Sequence, residues 1–228
     1  MSRVSSRDVR LPTSQGDARV LTHPAEQPWA SALLSHGASG GVDAPDLQLA
    51  ARLFPPLGVE VLLVEQPWRV AGRRSASPPT RLDEAFAAVV EQVAPQVPYV
   101  VGGRSAGARV GCRTGRQLGA VGVLALSFPL HPPGRPDRSR LGELLDAGLP
   151  VFVVQGTRDA FGTAADVRGA AGSDAPELTV VDIEGGDHGF AVLARDGGRA
   201  SRDARLAAAL DRAVGWLRTH VPGALGNT

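Results

Sequence analysis

The stretch "PYVVGGRSAGARVGCR", Pro98 to Arg113, decides the fold. Its first part, "PYVVGG" (98–103), is a short apolar run closed by glycines, as expected of a buried strand. A helical pattern, 106–119, starts directly afterwards. Between the two stands Ser105 among small residues. A serine there packs against nothing, and it makes sense if its hydroxyl is presented to something.

Gly103-Arg104-Ser105-Ala106-Gly107 has the pattern G-x-S-x-G. The pattern alone does not decide, because Gly37-Ala38-Ser39-Gly40-Gly41 matches it too. Context separates the two. A serine nucleophile needs a sharp strand-to-helix turn that lifts its hydroxyl above the sheet, with small neighbours around the strained backbone. The turn also aims the free N–H groups of the next helix at a developing oxyanion. Ser105 meets these conditions, whereas "GGVDAP" separates Ser39 from the next helical pattern. The competing reading of Ser105 is a plain helix N-cap after a glycine turn.

Working outward, apolar runs alternate with helical patterns. The strands expected are 18–24, 29–37, 58–67, 98–103, 122–130, 150–156 and 177–185. From residue 29 onward most are continuously apolar, which fits a parallel sheet covered on both faces. Helices are expected at 43–54, 80–94, 106–119 and 201–221, with Thr80 and Ser201 as N-caps and Asp83 and Glu84 in the first turn of the second. Residues 7–22 read as a hairpin turning near Gly16-Asp17, and 67–79 and 131–142 as long loops. The expectation is a single α/β domain spanning 1–228.

The serine needs a base, and the chain has five histidines: His23, His36, His131, His188 and His220. His188, in "EGGDHGF", follows the last strand, and its glycines allow a loop to carry the ring back over the sheet edge. His220 ends the last helix, where a cation suits the dipole. His131 could line a pocket from its proline-rich loop, and His36 could brace its own loop or touch a substrate. For the carboxylate that orients the base, Asp159 stands just beyond the strand "VFVVQG". Asp166 lies further on, and Asp187 is adjacent to His188, so their side chains would diverge. Ser105, Asp159 and His188 thus follow the C-terminal ends of three strands in the chain order of a known hydrolase arrangement. The loop "SHGASGG", with Gly37 and other small residues, suits a second backbone donor to an oxyanion.

With these residues in place, the chain resembles the α/β-hydrolase superfamily over nearly its whole length. "SHGASGGVDAPDL", "VAGRRSASPPTRLDEAF", "VVGGRSAGARV", "VVQGTRDAFG" and "GGDHGF" are similar to the small capless, dienelactone-hydrolase-like branch. That branch includes the hydrolase-like domain of a subunit of the non-specific-lethal histone acetyltransferase complex. The resemblance implies a mostly parallel sheet of about eight strands; the N-terminal hairpin is expected as its antiparallel edge, helices are expected on both faces, and no insertion is long enough for a lid domain. The resemblance also implies Ser105 as nucleophile, Asp159 as acid and His188 as base, with the backbone amides of Ala38 and Ala106 as oxyanion donors. The dienelactone hydrolases proper use a cysteine nucleophile, and this chain departs from them there.

The expected activity is hydrolysis of a small ester or thioester through an acyl-enzyme. The alternative is a hydrolase-fold scaffold, since some relatives in this branch are thought to act as one. Arg73 and Arg74, in "RVAGRRSASPP", could grip an anionic substrate or simply be solvated.

Bulk properties narrow the field. The 228 residues are 43% hydrophobic and 21% charged, with 24 basic side chains against 23 acidic. Nothing in that balance suggests nucleic acid or an anionic membrane as a partner. All the basic residues are arginine, so no lysine is available for Schiff-base chemistry. The single cysteine, Cys112, excludes an intrachain disulfide. No metal-ligand cluster or phosphate loop is apparent, and no cofactor is implied. The first 20 residues lack the apolar core of a signal peptide, and no run reaches the roughly 18 apolar residues of a membrane span. A cytoplasmic location is expected.

Overall fold

The computed structural model describes residues 7–172, 175 and 177–221. One eight-stranded sheet organises them, in the order β1-β2-β4-β3-β5-β6-β7-β8. The hairpin comes first: β1 (Arg7–Thr13) pairs antiparallel with β2 (Gly16–His23), which pairs antiparallel with β4 (Val59–Glu65). The turn falls on Ser14 and Gln15, so Gly16, at φ 105°, opens the second strand. The remaining strands are parallel: β3 (Ala30–Ser35), β5 (Tyr99–Arg104), β6 (Gly122–Leu126), β7 (Val151–Gly156) and β8 (Leu178–Ile183). Every residue of β3, β6 and β7 is buried, which explains why these segments read as largely apolar runs without alternation.

Helices cover both faces. On one face α1 (Pro45–Leu53) and α7 (Gly198–His220) bury Leu47, Ala50, Leu206, Leu210 and Leu217 in a core with Leu34, Leu63 and Phe152. On the other, α3 (Pro79–Val93) and α4 (Ala106–Thr114) bury Phe86, Val89 and Val110 against Leu33, Val101 and Val153. The short helices α5 (Leu141–Leu145) and α6 (Ala164–Ala171) complete that layer with Leu144 and Val167. A single turn of helix, α2 (Pro67–Val70), follows β4.

Several expected boundaries move. α3 starts on proline at its first position, so Thr80 is inside the helix, and no acidic residue lies in its first turn. α7 starts at Gly198 after Gly197, which takes φ 95°, so Ser201 lies inside it as well. α4 stops at Thr114; Gly115 still has helical dihedrals, and the chain turns away by Gly119, at φ 81°. α2 and α5 each occupy part of a stretch expected to be loop, because each is too short to show a helical period.

The order of strands fixes where a site can lie. From β3 the chain crosses to β4 on one side, then returns past β3 to β5 on the other. The crevice beyond the C-terminal ends of β3 and β5 is therefore the switch point of the sheet, the usual binding position in open α/β folds. Ser105 and the loop after β3 both lie there.

Candidate active site

The turn at Ser105 is built by its neighbours. Ser105 has φ 51° and ψ −104°, a strained conformation that costs about 1–3 kcal/mol for a residue with a side chain. Its N–H donates to the Leu126 carbonyl at 2.8 Å, which pins the elbow to β6. A methyl added at Gly103 would lie 1.9 Å from Ser35 O, and one at Gly107 would lie 2.3 Å from the same atom. Both outer glycines of the motif are thus dictated by the passage of β3. Gly103→Ala or Gly107→Ala is expected to cost about 4 kcal/mol or more, a loss of about 8–16 °C in melting temperature for a chain of this size. Gly40→Ala, whose methyl meets nothing within 4 Å, is the control that should melt like the parent. The rival serine of that second motif, Ser39, is exposed and has no elbow.

His188 lies on the loop after β8. Its Nε2 is 2.9 Å from Ser105 Oγ, and its Nδ1 is 2.8 Å from Asp159 Oδ2. An ionised carboxylate only accepts, so the ring proton sits on Nδ1 and the Nε2 lone pair faces the serine hydroxyl. Asp159 is 3% exposed. Its Oδ1 accepts from the Phe161 N–H at 2.8 Å, and its Oδ2 also accepts from Gln155 Nε2 at 3.0 Å. The Phe161 ring stacks on the His188 imidazole with centroids 4.0 Å apart. The loop passes directly over the end of β7, where a methyl at Gly156 would lie 2.3 Å from Gly186 O. Such a chain can draw a proton from the hydroxyl and share the resulting charge with a buried carboxylate.

The other carboxylates are committed elsewhere. Asp166 closes a capping box with Thr163 at the start of α6. Asp187 Oδ1 accepts from the N–H groups of Gly189 and Ala191, shaping the loop that carries His188.

The loop after β3 comes within van der Waals reach of the serine: a methyl at Gly37 would lie 3.4 Å from Ser105 Cβ. Ala106 opens α4, so its N–H has no partner within the helix. Among the described residues neither it nor the Ala38 N–H donates to another protein group.

Of the two readings of His36, its geometry fits the brace. It is only 2% exposed, its Nε2 accepts from the Gln66 N–H at 3.0 Å, and its Nδ1 lies 2.8 Å from Gly37 O. Both ring nitrogens are spent bracing the loop, which leaves none for a substrate. Burial holds its pKa below the ordinary imidazole value. The unfolded chain therefore takes up a proton that the folded chain refuses. Stability should be full above about pH 6.5 and fall as the pH drops below that value. Melting temperatures should be level between about pH 8 and 7 and decline towards pH 5; a rise on acidification would contradict this.

His131 is half-buried, with Nδ1 on Pro132 O and its N–H on Phe161 O, so it borders the segment that stacks on His188. Arg73 and Arg74 are exposed after α2 and form no ion pair among the described residues. The Cys112 thiol is buried, and burial pushes its pKa up to about 12, so it stays protonated as packing. No helix of the described residues is long and apolar enough to cross a membrane.

Comparison with known proteins agrees with this architecture. A family model described as an alpha/beta hydrolase domain matches residues 28–218. No curated protein matches the chain. Among solved structures, the chain is similar to XC6422 from Xanthomonas campestris, a serine hydrolase without a lid. The TM-score is 0.70 at 22% identity, over 100% of this chain and 99% of that one. It is also similar to the esterase domain of a Rhodothermus marinus protein, with TM-score 0.69 and 14% identity, over 95% and 99% of the two chains. A dienelactone hydrolase from Anabaena variabilis gives TM-score 0.67 and 15% identity, over 95% and 98%. These identities speak for the fold alone, but the family match spans most of the chain, and the protein belongs to the alpha/beta hydrolase domain family.

Proposed function

We propose that this protein is a serine hydrolase acting on small esters or thioesters, with Ser105, His188 and Asp159 as its catalytic triad. The observation that carries the reading is the unbroken hydrogen-bonded chain from Ser105 Oγ through His188 to the buried Asp159 carboxylate. Membership of a hydrolase family and a strained elbow at the switch point of the sheet support it.

The chemistry follows from the atoms. As Ser105 Oγ bonds to the substrate carbonyl carbon, its proton passes to His188 Nε2. Asp159 keeps the imidazole in the Nδ1–H tautomer and offsets the imidazolium charge. The carbonyl oxygen becomes an oxyanion, met by the N–H groups of Ala38 and Ala106; losing one such donor typically costs about 10²–10³ in rate. Collapse breaks the bond to the leaving alcohol or thiol, which takes the proton back from His188. Water, deprotonated by the same nitrogen, then cleaves the acyl-enzyme and restores Ser105. Short acyl groups are the expected substrates, because no separate lid element is present among the described residues to bury a long chain.

A panel of p-nitrophenyl esters and acyl thioesters of increasing chain length tests this. Turnover should be greatest for acetyl and butyryl and decline for longer chains. Folded protein that hydrolyses none of them would support the scaffold reading instead.

A further inference from the structure

The residue between Gly103 and the serine has a side chain that an elbow does not require. Arg104 closes β5, and its guanidinium runs between three segments. Nη1 donates to Asp46 Oδ1 at 3.0 Å, and Nη2 donates to the main-chain carbonyl of His188 at 3.0 Å. A methyl at Gly37 would lie 3.8 Å from Arg104 Cδ, and one at Gly189 would lie 3.6 Å from Nη2. The same side chain therefore lies against the loop after β3 and the loop that carries the base.

Asp46 fixes the guanidinium from the far side. It sits in the first turn of α1 with its side chain 0% exposed, against 17% for Arg104. Its other oxygen, Oδ2, has no partner among the described residues, so Arg104 is the group that balances this buried charge. The guanidinium is a planar fork, and two of its nitrogens serve two acceptors at once in a fixed geometry.

The loop that Arg104 holds is rich in glycine and closed on itself, with the Asp187 N–H donating to Ala191 O and the Phe190 N–H to Asp187 O. Gly185, Gly186 and Gly189 surround His188, and Phe190 takes φ 58°. Asp187 ties the loop to itself, and the Arg158 N–H anchors it at Gly186 O. The bond to the His188 carbonyl is made at the base itself, by the residue next to the nucleophile.

We propose that Arg104, clamped by Asp46, is a positioning residue that fixes the His188 main chain where its imidazole reaches Ser105 Oγ. Elbow and base are then tied to one another directly, in addition to the bonds that shape the loop. This inference rests on the hydrolase reading above.

Two variants test it. Arg104→Lys keeps a positive charge opposite Asp46 but offers one nitrogen in place of a fork. The double variant Arg104→Met with Asp46→Asn removes both charges, so no buried ion is stranded and the chain can still fold. With folding checked by thermal melting and active sites titrated with a fluorophosphonate, kcat per site should fall about 10- to 100-fold in both. KM should stay within about twofold of wild type, since no bond to substrate is removed. The far-downfield proton resonance of His188 Nδ1–H, assigned by its loss in His188→Gln, should be sharp in wild type and broadened in both variants. Values of kcat within twofold of wild type with an unchanged resonance, in both folded variants, would overturn the proposal. A wild type that turns over no ester and resists the probe would defeat the hydrolase reading, and the resonance would still decide for or against the clamp.

Discussion

Ser105→Ala should lower turnover of a short ester by about 10⁴-fold or more, because the covalent route is lost and only binding and the oxyanion donors remain. Folding should hardly change. The substitution removes one hydrogen bond, Oγ to His188 Nε2, from a half-buried site. The backbone keeps its φ of 51° with alanine, so the strain of the elbow is neither relieved nor increased. Melting temperature close to wild type together with lost activity is the expected pair of results. Equal loss of both would point to a structural serine. Retained activity would mean that another group is the nucleophile, and Cys112, buried with its thiol held protonated, cannot replace it.

Asp159→Asn should be nearly as damaging, with a fall in kcat of about 10⁴-fold. The reason lies in the donors around the carboxylate. Its Oδ1 faces the Phe161 N–H, and its Oδ2 faces the Gln155 amide and His188 Nδ1. An asparagine must set its NH₂ at one of these two positions, and either one already faces donors. If the NH₂ takes the Oδ2 position, His188 relieves the conflict by accepting at Nδ1 and moving its proton to Nε2. The nitrogen facing Ser105 then carries a proton and cannot act as a base. Steady-state kinetics over a pH series measures the effect, and turnover within tenfold of wild type would remove Asp159 from the proposed mechanism.

How far the sequence reached depends on which interactions are local. The largely apolar strands, the alternation with helices and the N-terminal hairpin were legible because side-chain period and burial leave their mark on neighbouring residues. The positions of Ser105, Asp159 and His188 were legible for a related reason: each lies in a glycine-bearing turn just after a strand. The supporting residues were harder to see. Gln155 is the one polar side chain in the run "VFVVQG", which could have raised the question of its partners, and it is fully buried. Its bonds to Phe128 O, Asp159 Oδ2 and Gly162 O answer that question, but they join segments that only folding brings together. Phe161 carries no local signal of its role, although its ring stacks on the imidazole and its N–H holds the carboxylate. His36 was open in the sequence between a brace and a contact to substrate, and the Gln66 N–H, 30 positions away, was the partner that local reading could not supply. Helix starts at Pro79 and Gly198 were missed because the serine and threonine nearby had the stronger capping preference, and the glycine and proline backbone decided otherwise.

The central claim is that the hydroxyl at 105 is activated by the imidazole at 188. A fluorophosphonate probe reads this directly, because it reacts with activated serines, and mass spectrometry of the digested protein locates the adduct. A single adduct on the peptide containing Ser105, absent when His188 is replaced by glutamine, is the predicted result. Folded wild-type protein that takes no label, or takes it equally without His188, would contradict it.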